Sequence, residues 1–210
     1  MHHKMIEAFR FLDAKQNVVE DTHGNISSRG AHGLDGFYIK PSGMSYSSIT
    51  VNDLVLLSVE NIEFKVGHLK ESVDSSEHRK IYKLNPQVKS ICHTHSPYAT
   101  AMAIAGLSLP VLCTEHADYF GHEIACLKHQ TYDKWGEFVL EENEQAVLLG
   151  QHGVLICSHD NNPMSAVKLA VALEAIAKKY YFVWNMAGPS PLSSDEVNRW
   201  HQRYKNSYGQ

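Results

Sequence analysis

The chain has 210 residues, 43% hydrophobic and 20% charged, with a formal net charge of -4. That length supports one sizeable core, so a single domain over residues 1–210 is expected, and the charge balance offers no broad basic surface for nucleic acid. No apolar run of about 18 residues exists and Met1–Arg10 lacks an apolar h-region, so the expectation is a cytoplasmic protein with no membrane partner.

In chain order, the first element is a helix. Met5, Ile6, Phe9 and Leu12 give helical spacing over Met5–Gln16. The small and polar residues of Asp21–Arg29 read as a turn. Phe37–Lys40 reads as a strand running into the tight loop Pro41-Ser42-Gly43, Asp53–Ser58 as a second strand, and Ile62–Val66 as a third at the sheet edge. Ser75 or Ser76 is placed to cap a helix running to Leu84, which Asn85-Pro86 ends.

Val88–His93 is a strand and Pro97–Ala105 a small-residue helix stopped by Gly106. The residues from Thr114 to Phe120 read as a loop. Ala146–Leu149 and Val154–Cys157 are short apolar strands that Gly150-Gln151-His152-Gly153 could join as a hairpin. Met164–Met186 is a long helix, with Pro163 near its start and Gly188-Pro189 beyond its end. Its alanines suit close packing, within the core or between subunits. A last helix covers Asp195–Lys205 with Ser194 as its cap. Short β–β links near residues 37–66 and 146–157 favour an α/β fold with a largely antiparallel sheet and helices packed around it. The four cysteines are scattered, form no C-x-x-C, and read as reduced thiols.

The most informative stretch is Ile91-Cys92-His93-Thr94-His95-Ser96. Alternate residues of a strand share a face, about 6.6 Å apart at ~3.3 Å per residue, so two imidazoles can converge on one ion. His152 in the later turn and Glu77 in Ser75-Ser76-Glu77 are the further candidates, and three histidines with a carboxylate favour zinc or a similar transition metal. Burying two imidazoles without partners is costly, which weighs against an innocent His-x-His.

Gly24-Asn25, Ser42-Gly43 and Ser75-Ser76 are small-residue turns whose N–H groups could hold an anion, with Lys40 adding positive charge; each taken alone is equally consistent with ordinary turn chemistry. Glu115, His116, Asp118 and Tyr119 form a candidate acid/base region, with a solvated loop as the alternative. By position alone Tyr208 is a tail residue.

In order, Gly24-Asn25-Ile26-Ser27, Pro41-Ser42-Gly43, Ser75-Ser76-Glu77, His93-Thr94-His95 and His152-Gly153 resemble the motif series of the class II aldolase/adducin family, over nearly the whole chain. The resemblance implies an α/β/α fold with a central, mainly antiparallel sheet. It implies one divalent metal per subunit held by Glu77, His93, His95 and His152, with zinc first and manganese or cobalt as alternatives. It implies a phosphorylated ketose as substrate, its phosphate held at Gly24, Asn25, Lys40, Ser42, Gly43, Ser75 and Ser76. A homotetramer with active sites between subunits follows from the same likeness.

Two enzyme branches of that family compete. Lys40-Pro41-Ser42-Gly43, His93-Thr94-His95-Ser96, Thr114 through Phe120 and the ending Tyr208-Gly209-Gln210 resemble L-ribulose-5-phosphate 4-epimerases, where residues matching Asp118 and Tyr208 act as acid and base in a neighbouring subunit's site. Glu77 follows L-fuculose-1-phosphate aldolase instead, because the epimerases carry Asp beside the metal. His23 also stands where epimerases have Trp, and His201 matches their last-helix histidine only across a gap of about one helical turn. The implied chemistry is retro-aldol cleavage through an enediolate stabilised by the metal. An epimerase re-adds the aldehyde on its other face. An aldolase releases it and dihydroxyacetone phosphate or a related ketone, with Glu77 as acid/base. The adducin branch, a non-catalytic interaction module, is the remote alternative.

Overall fold

A computed structural model describes residues 1–15, 18–19, 22–30, 35–127, 140–141, 144–186 and 188–207. Its elements are α1 (His2–Asp13), β1 (Asn25–Arg29), β2 (Gly36–Ile39), β3 (Val55–Ser58), β4 (Lys65–Val66), α2 (Ser75–Leu84), β5 (Ser90–Thr94), α3 (Pro97–Ala105), α4 (Thr114–Tyr119), β6 (Cys126–Leu127), β7 (Ala146–Leu149), β8 (Gly153–Ser158), α5 (Pro163–Met186) and α6 (Ser194–Ser207). The strands form one sheet in the order β4-β3-β2-β1-β5-β8-β7-β6. Every pair is antiparallel except β6 with β7. The expected mainly antiparallel sheet flanked by helices is the one observed.

Side-chain alternation divides the core between the two faces. Cys92, Leu148, Val154 and Ile156 join one buried cluster with residues of α1, α3 and α5. Ile91, Val147, Leu149, Leu155 and Cys157 join the other, with Ile81 and Tyr82 of α2. This is the period-2 pattern of a sheet buried on both sides. Each fully buried Leu or Ile in it contributes roughly 1.5–3 kcal/mol. In α1 the buried residues are Met5, Ala8, Phe9 and Leu12, the stripe that its sequence spacing requires.

Two expectations are corrected. The stretch read as a turn at residues 21–29 contains strand β1, although Ile26 is its only large apolar residue. Its serines are satisfied by tertiary partners: Ser27 Oγ lies 2.7 Å from His78 Nδ1 and 2.8 Å from Tyr82 Oη, and Ser28 Oγ donates to Lys89 O. Thr114–Tyr119, read as a loop, is the short helix α4, which packs against α6. Strand β6 carried no clear period-2 signal, and its parallel pairing with β7 is set by tertiary context.

Candidate metal centre

Strand β5 ends in the His-x-His. His93 pairs with Asn25 of β1 on one side and with Leu155 of β8 on the other, and His95 follows just past the strand end. The β7–β8 hairpin returns His152 to the same place. Its turn is tied down by His152 N–H to Leu149 O at 2.9 Å and Gln151 N–H to Ala103 O at 3.1 Å.

Sequence-distant histidines thereby converge. The ligand-capable atoms of His93, His95 and His152 all lie within 4.8 Å of one another. His93 Nε2 is 3.0 Å from His95 Nε2 and 3.1 Å from His152 Nε2.

The protonation chemistry of this triad fits a cation. His93 Nδ1 donates to Val154 O at 2.8 Å, and a carbonyl only accepts, so the neutral ring keeps its lone pair on Nε2. One lone pair cannot serve two neighbouring N–H groups equally, whereas a single ion takes a lone pair from each ring. The spacings approach the ~3.3 Å edge of a tetrahedron with bonds near 2.0 Å. Burial, together with the neighbouring His95 and His152, holds His93 well below the ordinary imidazole pKa. Burial also lowers His152. The lone pairs of these two rings are thus available near neutral pH.

His95 and His152 open onto a cavity of about 330 Å³, whose lining includes His23, Gly24, Asn25, Lys40, Ser42, Gly43, Ser72 and Asp74. Gly24 is required here by close approach: it has φ 71°, and a Cβ would stand 2.4 Å from His93 O. Asn25 Nδ2 donates to Asp74 Oδ2 at 2.6 Å. Lys40, almost wholly buried, directs Nζ to Thr22 O at 3.1 Å and lies over the Tyr46 ring at 5.0 Å. Ser42 donates its backbone N–H to Lys70 O.

The lining brings together Gly24, Asn25, Lys40, Ser42 and Gly43 of the expected phosphate residues. It does not include Ser75, Ser76 or Glu77. From that segment the pocket takes Ser72, Val73 and Asp74 instead. The reason is where the helix starts: Asp74, not Ser75 or Ser76, is the N-cap of α2, and the three expected residues lie within its first turn. Glu77 is buried with Oε1 3.0 Å from Lys80 Nζ, and neither it nor Asp74 belongs to the three-histidine group. Asp74 is buried too, and its charge acts on both His152 and His78, opposing the drop that burial imposes on each. His78, one turn further along α2, is pushed down to about 3 by burial. The readable signal for Asp74 was Ser72-Val73-Asp74 itself, a second Ser-x-acid run just upstream of the one chosen.

Asp118 lies elsewhere in the chain. It lines a separate cavity of about 340 Å³ with Tyr119, Lys168, His201 and Tyr204. His201 Nδ1 sits 3.0 Å from Ala117 O and 3.2 Å from Asp118 O, so α6 clamps the end of α4. Tyr208 is outside the described residues.

A further buried carboxylate holds the start of α3. Glu174 of α5 accepts N–H from Tyr98 at 2.9 Å and from Ala99 at 3.0 Å, the first turn of α3. Burial raises its carboxyl pKa, with these N–H groups, Ser96 and Lys178 pulling the other way.

Comparison with known proteins agrees with this geometry. Residues 3–181 match the model of the Class II Aldolase and Adducin N-terminal domain. Over 181 residues the chain is 35% identical to the probable L-ribulose-5-phosphate 4-epimerase UlaF of Mycoplasma pneumoniae, covering 78% of this chain and 74% of that one. A solved L-fuculose 1-phosphate aldolase superposes with TM-score 0.83 at 24% identity, over 97% of this chain and 95% of the other. The L-fuculose-1-phosphate aldolase of Thermus thermophilus has TM-score 0.70 at 27% identity, over 90% and 100%. With the ordered motifs, the mainly antiparallel sheet and the three-histidine group all in agreement, the chain belongs to the class II aldolase/adducin family.

Proposed function

We propose that this chain is a divalent-metal-dependent sugar-phosphate enzyme of the L-ribulose-5-phosphate 4-epimerase type. The observation that carries the reading is the convergence of His93, His95 and His152 on a pocket whose acidic residue is Asp74 and whose lining includes Gly24, Asn25, Lys40, Ser42 and Gly43. Epimerases of the family carry Asp beside the metal, and an Asp rather than a Glu in the lining of the histidine pocket supports the epimerase reading over the aldolase. The 35% identity to a relative named as a probable epimerase points the same way.

His93, His95 and His152 would hold the ion, zinc by its preference for imidazole, with Asp74 beside them. When bound, a divalent ion supplies Lewis acidity to the ketose carbonyl and its neighbouring hydroxyl. Lys40, Asn25, Ser42 and Ser72 would bind the phosphate, which is remote from the bond that breaks and so positions it. For a ribulose 5-phosphate, cleavage between C3 and C4 leaves a three-carbon enediolate and a two-carbon aldehyde that keeps the phosphate. The hydroxyl on C4 loses its proton as the bond breaks and regains one after re-addition. Asp118 and Tyr208 would carry those protons, one on each face of the aldehyde, from a neighbouring subunit of a homotetramer. In support, Asp118 lines a cavity other than the histidine pocket of its own chain.

The test is NMR of metal-loaded protein with a panel of ketose phosphates. A C4 epimer of L-ribulose 5-phosphate without released aldehyde is the expected outcome. Release of an aldehyde and a ketone phosphate, above all from L-fuculose 1-phosphate, would replace this reading with the aldolase. The 27% identity to the Thermus thermophilus aldolase structure is the observation that favours that second reading.

A further inference from the structure

Helix α3 begins directly after the His-x-His, and its N-cap is unusual. Ser96 occupies the cap position but makes no side-chain bond to its own helix. The first N–H groups of a helix have no intrahelical acceptor and need one from elsewhere. Here the acceptor comes from another helix, 75 residues further along the chain from Ala99. Glu174 Oε1 takes the Tyr98 N–H at 2.9 Å and Oε2 takes the Ala99 N–H at 3.0 Å. Both Ser96 and Glu174 are buried, so solvent cannot substitute. One carboxylate thus gathers the N–H groups of Tyr98 and Ala99, three and four residues after His95.

The local geometry makes His95 dependent on that grip. His95 lies past the last paired residue of β5, so the sheet ladder that fixes His93 does not extend to it. On its C-terminal side the chain passes at once into Ser96 and the first turn of α3. The backbone leading out of His95 is therefore fixed by α3, and the start of α3 is fixed by Glu174.

We propose that Glu174 is a positioning residue for the metal centre, orienting His95 through Ser96 and the first turn of α3. This rests on the reading of the three histidines as metal ligands. The carboxylate itself stays off the ion. Its part is to hold one ligand ring at the distance at which all three lone pairs meet, and such supporting contacts typically change metal affinity by about 10–100-fold when lost.

Glu174→Gln is the informative substitution, because it keeps the shape but turns one acceptor into an NH2 group facing an N–H. Metal-free protein is titrated with cobalt(II) alone, followed by the visible d–d absorption, well below the melting temperature of every variant. We expect Glu174→Gln to bind cobalt about tenfold more weakly, with a changed d–d band. Val167→Ala removes buried volume elsewhere on α5 and should lower the melting temperature while keeping wild-type affinity and spectrum. If Glu174→Gln does not fold, Glu174→Asp takes its place: it draws the carboxylate back by one methylene from the Tyr98 and Ala99 N–H groups and should weaken cobalt binding several-fold. Wild-type affinity and spectrum in the folded variant would overturn the positioning role. Failure of the wild-type protein to bind cobalt would overturn the metal reading itself, and this role with it.

Discussion

At the scale of single residues, the most informative contrast is between two acids three positions apart. Asp74 occupies the N-cap position of α2 and lines the histidine pocket, whereas Glu77 is buried within the first turn beside Lys80. If Asp74 tunes the ion, Asp74→Asn should lower metal affinity about 10–100-fold and depress turnover with it. Glu77→Gln should keep wild-type metal content, because Glu77 is not among the pocket-lining residues. Metal analysis of the two purified variants, side by side, decides the assignment; the reverse ranking would restore Glu77. The histidines were legible because a His-x-His has one spatial consequence on a strand, and because β8 pairs with β5. The carboxylate was less so. Each acid stands two residues after a serine, and choosing between them depends on which residue begins the helix, a boundary that sequence patterns locate only to within a turn.

At the scale of elements, strongly periodic segments were readable and tertiary-stabilised ones were not. α1 and α5 declare themselves by their apolar stripes, and β7 and β8 by continuous apolar runs. β1 hid because its buried faces are satisfied by His78, Tyr82 and Lys89, partners remote in sequence. α4 hid because six residues give too little periodicity, and because its stability comes from docking on α6. That dock has a specific weak point. Gly121, with φ 71°, lies under the His201 ring, and a Cβ there would stand 2.7 Å from it. Gly121→Ala should therefore cost about 2–3 kcal/mol, from left-handed strain plus the clash, and lower the melting temperature by roughly 5–10 °C. Calorimetry measures the loss. His201→Ala in the same chain should recover the steric part, and a double variant no better than Gly121→Ala alone would show that the ring is not the obstacle.

For the whole molecule, the distal part of α5 stands out. Tyr181, Phe182, Val183, Trp184 and Met186 are all exposed, Met186 to 84%. A run of large apolar side chains on the end of one helix is more than scattered surface hydrophobicity, and it marks a surface suited to association. Under the proposed homotetramer this end belongs between subunits. Phe182→Asp combined with Trp184→Asp should shift the protein to smaller species in analytical ultracentrifugation. Each subunit should still bind metal, since His93, His95 and His152 all come from one chain. Turnover should fall together with assembly, because Asp118 lies away from the histidine pocket of its own chain. An assembly unchanged by both charges would move the interface to another face.

The hydrogen bond from His93 to Val154 O has a consequence for how this sequence can change in length. The carbonyl that selects the ring tautomer belongs to a residue paired with Thr94 in the β5–β8 ladder. A one-residue insertion or deletion in β8 would exchange the two core faces and, in the same step, present a different carbonyl to His93. Length variation in that strand is thus constrained twice, by packing and by ligand protonation. Shifts by two residues would restore the faces but would still carry His152 away from its partners. Among descendants of this chain, changes of length should therefore collect outside β5, β8 and the turn that carries His152.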